Sequence, residues 1–158
     1  MNRDSEPRGS MALTALVAVA LQLIPLPALI APARPAFVVL AVVYWSLVAP
    51  RAGGIALGFF SGLAIDVFRG AVLGQFSLAT SLVAYLTIRQ HLMLRNKPIF
   101  EQTLFVALML LVWEAVAWAI DGWTGQSAAG WTRWLHILTG ALTWPVIAVL
   151  LGRTHTPR

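Results

Sequence analysis

Cysteine is missing from this 158-residue chain, so neither a disulfide nor a thiolate metal site can form. Charge is scarce as well: 11% of residues are charged, where a soluble domain carries about 25%. Motifs of common enzymes are also lacking, with no HExxH, no glycine-rich phosphate loop, no His/Cys cluster and no G-x-S-x-G. An enzyme, a bound cofactor and a metal are therefore not expected. What is abundant is apolar. Hydrophobic residues make up 59% and the mean hydropathy is +0.79, which reads as an all-α integral membrane protein. Residues 1–158 form a single transmembrane domain with no separate soluble module. The net charge of +5 would suggest nucleic acid in a soluble protein. Here the bases flank apolar runs, where they set orientation, and no nucleic-acid partner is expected.

The stretch from Gly54 to Gly74 reads GIALGFFSGLAIDVFRGAVLG, with Gly54, Gly58, Gly62, Asp66, Gly70 and Gly74 recurring every four positions. Positions four apart lie nearly above one another on a helix, so Gly54 to Asp66 form a winding strip without side-chain bulk. In a membrane such strips let two backbones approach, and packing rather than hydrophobicity drives helices together. One GxxxG would mean little, because glycine is common in membrane helices. Five glycines and an acid in a single register point to a dedicated seam for helix packing or for a partner. Arg69-Gly70 reads as a tight turn at its end.

Taken in order, residues 1–10 are a polar tail, and apolar spans follow at about 11–31, 36–49, 52–68, 71–88, 97–120 and 134–152. A cleaved signal peptide is the rival reading of the first span, with Ala31-Pro32-Ala33 imitating a cleavage site, but the run is long and its flank nearly neutral. The second run is short for a bilayer core of ~30 Å. If it crosses, Arg3, Arg8, Arg51, Arg89, Arg95, Lys97, Arg153 and Arg158 fall on one side against Arg34, Arg69 and Arg133 on the other. That bias favours six spans with both termini cytoplasmic; five spans with the N-terminus outside is the alternative. Asn96 can cap the fifth helix, with Pro98 and Glu101 in its first turn. Trp123, Trp131 and Trp134 read as an interfacial belt, and Pro145 should kink the last helix.

Two acids fall inside apolar runs, where burial is expensive and a function is the default hypothesis. Asp66 lies ~22 Å along its helix and either serves assembly or pairs locally with Arg69. Glu114 lies on the same face as Asp121, as part of a proton or cation path or as a buried acid bonded to a neighbouring Thr or Trp. Ser61 and His136 raise the question of an intramembrane serine protease, but their expected depths match poorly.

Residues 44–86 resemble the signature region of the bacterial rod shape-determining protein MreD family. The matching pieces are Tyr44-Trp45, Pro50-Arg51, Gly58, Gly62, Asp66, Gly70, Leu73-Gly74 and Ala84-Tyr85. Leu21-Gln22 with Pro25 and Pro27, and Trp144-Pro145, resemble the family more loosely. The resemblance implies a non-enzymatic scaffold of the cell-elongation complex in the bacterial inner membrane. Its implied partner is MreC, a single-span protein with a large periplasmic part. Through MreC it would connect to the glycan polymerase, the transpeptidase and the actin-like filament. The family also resembles in fold the six-helix substrate-binding subunits of vitamin ECF transporters, which implies an alternative function, capture of a small solute. On this reading the glycine strip and Asp66 serve assembly, while Arg51, Arg89, Arg95 and Lys97 face cytoplasmic proteins or anionic membrane lipids, or only set orientation.

Overall fold

The uncharged run FVVLAVVYWSLV becomes the axis of the protein. In a computed structural model that describes residues 8–52, 54–125 and 130–154, this run is the second of six α-helices and the other five pack around it: α1 Arg8–Leu23, α2 Phe37–Val48, α3 Gly54–Arg69, α4 Gln75–Leu94, α5 Ile99–Thr124 and α6 Leu135–Thr154. Short 3₁₀ turns, Ala31–Ala33, Pro50–Ala52 and Trp131–Trp134, precede α2, α3 and α6. A helix that is apolar all round must be enclosed. Accordingly α2 touches all five other helices, and every residue from Val38 to Leu47 is buried.

Helix ends follow local chemistry more closely than the apolar runs do. The first helix stops at Leu23 rather than near 31, because Pro25 pushes the residue before it out of the helical region. The fourth begins at Gln75, not Ala71, because Gly70 and Gly74 take left-handed conformations (φ +61° and +104°) that a helix cannot contain. It then continues to Leu94, so the break expected between the spans 71–88 and 97–120 shrinks and Arg89 is helical. Pro98, not Asn96, is the cap residue of α5.

Segments 31–48, 99–124 and 131–152 are long and apolar enough to cross a bilayer. Large apolar side chains such as Phe60, Leu104, Leu138 and Leu142 point outward, as lipid contact requires. Trp123 and Trp131 stand 92% exposed near one end of the bundle, a placement suited to the headgroup region. This is an all-helical membrane protein.

The most extensive helix pair is α3 with α4, and glycine makes it possible. A Cβ on Gly62 would stand 2.5 Å from Ser77 Cα and 2.6 Å from Phe76 O, and one on Gly58 would stand 2.9 Å from Thr80 O. In the space so left, Thr80 Oγ1 donates to Gly58 O across the interface at 2.6 Å. Gly54 lies against Ser46 of α2 and Ile88 of α4.

Candidate functional site

Asp66 ends the glycine strip, and its carboxylate turns back onto the start of α4. Oδ1 accepts the N–H of Phe76 at 2.8 Å, while Oδ2 accepts those of Gly74 at 3.1 Å and Ser77 at 3.2 Å. The first N–H groups of a helix have no partner within it. Gly74, the cap residue of α4, carries no side chain to meet them. An acid from the preceding helix meets them instead, with its charge at the positive end of the α4 dipole. Asp66 is 1% exposed, so the carboxylate is a structural clasp between helices. Asp66→Ala is expected to lower stability by about 2 kcal/mol, the range for a lost cap and for hydrogen bonds to a charged group. Asp66→Asn should cost less, because its amide oxygen still accepts. Thermal melting in detergent measures both.

Beside this clasp, residues from or next to all six helices line a cavity of about 380 Å³. Gln22 comes from α1, Arg34 and Ala36 from the lead into α2, Arg69 from α3, Phe76 from α4, Trp113, Glu114 and Asp121 from α5, Arg133 from the 3₁₀ turn before α6 and His136 from the start of α6. Arg133 binds both acids: Nε pairs with Glu114 Oε1, and Nη2 with Asp121 Oδ2 at 2.9 Å. Gln75 adds a hydrogen bond from Nε2 to Asp121 Oδ1 at 2.6 Å. The His136 ring contacts Glu114 Oε2 at 3.4 Å through Nε2 and bonds Arg133 O through Nδ1. It meets Trp113 edge-on, with ring centres 5.6 Å apart. Arg34 donates to Gln22 O and Ile24 O, closing the C-terminal end of α1, where a cation suits the exposed carbonyls. Arg69 lies over the Phe76 ring, 5.4 Å from its centre.

The residues singled out from sequence divide accordingly. Gly54, Gly58 and Gly62 press on this chain's own α2 and α4, so the face offered to a partner is already occupied. Gly70 and Gly74 have nothing within reach of an added Cβ; they match the register by number only and serve the turn. Asp66 binds backbone rather than Arg69. Glu114 binds Arg133 rather than a Thr or Trp. Ser61 Oγ donates to Leu57 O at 2.6 Å in its own helix and does not line the cavity with His136, so no serine–histidine pair exists. Arg51, Arg89, Arg95 and Lys97 are exposed at the opposite end of the bundle. There Arg89 lies near Tyr85, and Lys97 pairs with Glu101 at 2.9 Å, a surface pair of small value. Among the described residues, no group of three or more His, Asp or Glu is placed to hold a metal ion.

The cavity itself was not legible as a unit. Its signal was nevertheless present: Glu114 and Asp121 on one face of α5 demand a cation, and Arg133 begins the next helix across a hairpin.

Comparison with known proteins bears on the whole chain. No solved structure matches it. The rod shape-determining protein MreD of Haemophilus influenzae is 28% identical over 138 residues, covering 87% of this chain and 85% of that protein. The family model for rod shape-determining protein MreD matches residues 7–154. With nearly its full length inside that match, the chain belongs to the MreD family and to the machinery that determines rod shape.

Proposed function

We propose that this chain is a non-enzymatic scaffold of the cell-elongation complex. It crosses the bacterial inner membrane six times with both termini in the cytoplasm, as one domain, and binds MreC. Through MreC it helps to direct lateral peptidoglycan synthesis by the glycan polymerase and the transpeptidase, coupled to the actin-like filament. The observation that carries this reading is how the buried acids are committed. Asp66 is held by three backbone N–H groups, and Glu114 and Asp121 share Arg133. Acids fixed in this way hold helices in place, whereas a proton or cation path needs them to exchange partners.

In this orientation the cavity faces the periplasmic side. Arg34, Arg69 and Arg133, the bases of that side, are all drawn into its lining, and the larger number of Lys and Arg stands at the cytoplasmic end, as the positive-inside rule asks. The glycine strip and Asp66 serve assembly by making α3 and α4 a stiff hairpin. Its outward residues, among them Phe59, Phe60 and Val67, are then available to a partner's membrane helix. Arg51, Arg89, Arg95 and Lys97 lie toward anionic lipids and cytoplasmic proteins.

MreC should co-purify with the tagged chain from native bilayer discs, and depletion of the chain should round the cells. MreC recovered apart from a chain that still sustains rod shape would refute the scaffold. A second reading, a solute-binding subunit of a transporter built like the vitamin-transporter subunits, draws on the cavity. It expects a retained small molecule and a coupling protein in place of MreC.

A further inference from the structure

The cavity's charges do not balance. Arg34, Arg69 and Arg133 line it with only two carboxylates, Glu114 and Asp121, and both are taken by Arg133. Among the described residues, Arg34 and Arg69 have no acid in ion-pair contact. Arg69 is exposed at the rim, with its guanidinium over the face of Phe76.

Hydrogen-bonding capacity is left over as well. Arg34 Nε and Trp113 Nε1 are buried donors with no acceptor, and Gln22 Oε1 is a buried acceptor with no donor. Trp113 and Gln22 are themselves 3% and 5% exposed, so bulk water does not meet these needs. An indole N–H can only donate and a guanidinium can only donate; both call for an acceptor, and beside two arginines without an ion-pair partner an oxyanion suits best. The carbonyl of Gln22 calls for a hydroxyl. Phe76, Trp113, Pro32, Ala31 and Ala36 supply an apolar wall, and the volume falls in the range of small-molecule sites.

We infer that this cavity binds a phosphate ester that carries a free hydroxyl, its oxyanion held by Arg69, Arg34 and Trp113 and its hydroxyl by Gln22. The cavity opens at the same end of the bundle as Trp123 and Trp131, at the depth where headgroups lie. A phosphoglycerol lipid headgroup and a soluble glycerol phosphate present the same chemistry. The site does not depend on which protein the bundle holds, so it stands or falls separately from the scaffold.

The test uses the full chain in a neutral detergent, read by native mass spectrometry and thermal melting. Phosphatidylglycerol, phosphatidylcholine and sn-glycerol 1-phosphate are added in separate arms. Phosphatidylglycerol or glycerol phosphate should bind one to one and raise the melting temperature, and phosphatidylcholine should not. Binding of the lipid alone identifies a headgroup site, and binding of the soluble ester identifies a solute site. Arg69→Gln, which breaks no internal ion pair, should weaken that binding about tenfold, as loss of one charge-assisted hydrogen bond predicts. Trp113→Phe keeps the ring, removes the N–H, and should weaken it too. Equal response to all three additives, response to none, or undiminished binding in both variants overturns the inference.

Discussion

Gly62→Ala is expected to separate α3 from α4 and to cost about 3 kcal/mol, the upper part of the range for overpacking. The added methyl would meet Ser77 Cα at 2.5 Å and Phe76 O at 2.6 Å. Both are backbone, so no rotamer change relieves the contact, and the helices must part. Parting them loosens the Thr80–Gly58 hydrogen bond and draws the Asp66 carboxylate away from the start of α4. Gly58→Ala should follow the same course less severely, since its closest neighbour, Thr80 O, is 2.9 Å away. Gly54→Ala should be mildest of the three, because the nearest atom is the side-chain oxygen of Ser46, which can rotate. Gly152→Ala in α6 meets nothing within 4 Å, and there the helix propensity of alanine should stabilise by up to about 1 kcal/mol. Thermal melting of the four variants in one detergent tests the order. A flat response across Gly54, Gly58 and Gly62 would show that the strip does not pack.

That order could not be written from sequence, although the strip could. Spacing by four identifies a bare helix face because helical geometry fixes which residues share it. It does not say what covers the face, which depends on how the chain turns. The turn is where the register misleads: Gly70 and Gly74 continue the count of four, yet their left-handed backbone ends the helix and reverses the chain. That reversal brings Gly74, Phe76 and Ser77 onto Asp66, a contact between residues eight to eleven apart that helical spacing cannot suggest. The burial of α2 was more accessible, since a run with no polar stripe has no side to show to water. The cavity was least accessible. Each of Arg34, Arg69 and Arg133 reads alone as a loop charge beside an apolar run, and only the packing of the helices shows that they share one space.

Arg133→Leu should be the most damaging single change at that end of the protein. It takes from Glu114 and Asp121 the cation in ion-pair contact with both, and their side chains are only 6% and 16% exposed. Removing one partner of a buried ion pair costs about 3–5 kcal/mol, most of it the uncompensated charge that remains. The change should also loosen the joint between α5 and α6, because it removes the side chain that ties Glu114 and Asp121 of α5 to the turn before α6. Glu114→Gln should cost far less, because Arg133 keeps Asp121 and the amide still offers an oxygen. The decisive comparison is the triple variant Arg133→Leu, Glu114→Leu, Asp121→Asn. If the cluster is a structural clasp, removing all its charges together should restore most of the stability lost by Arg133→Leu, since what harms the fold is the imbalance rather than the missing pair. Detergent melting reads the stability, and recovery of rod shape in cells depleted of the natural chain reads the function. A triple variant that is stable yet cannot sustain rods would give these charges a direct part in shape determination. One that is both stable and active would confine them to holding α5 against α6.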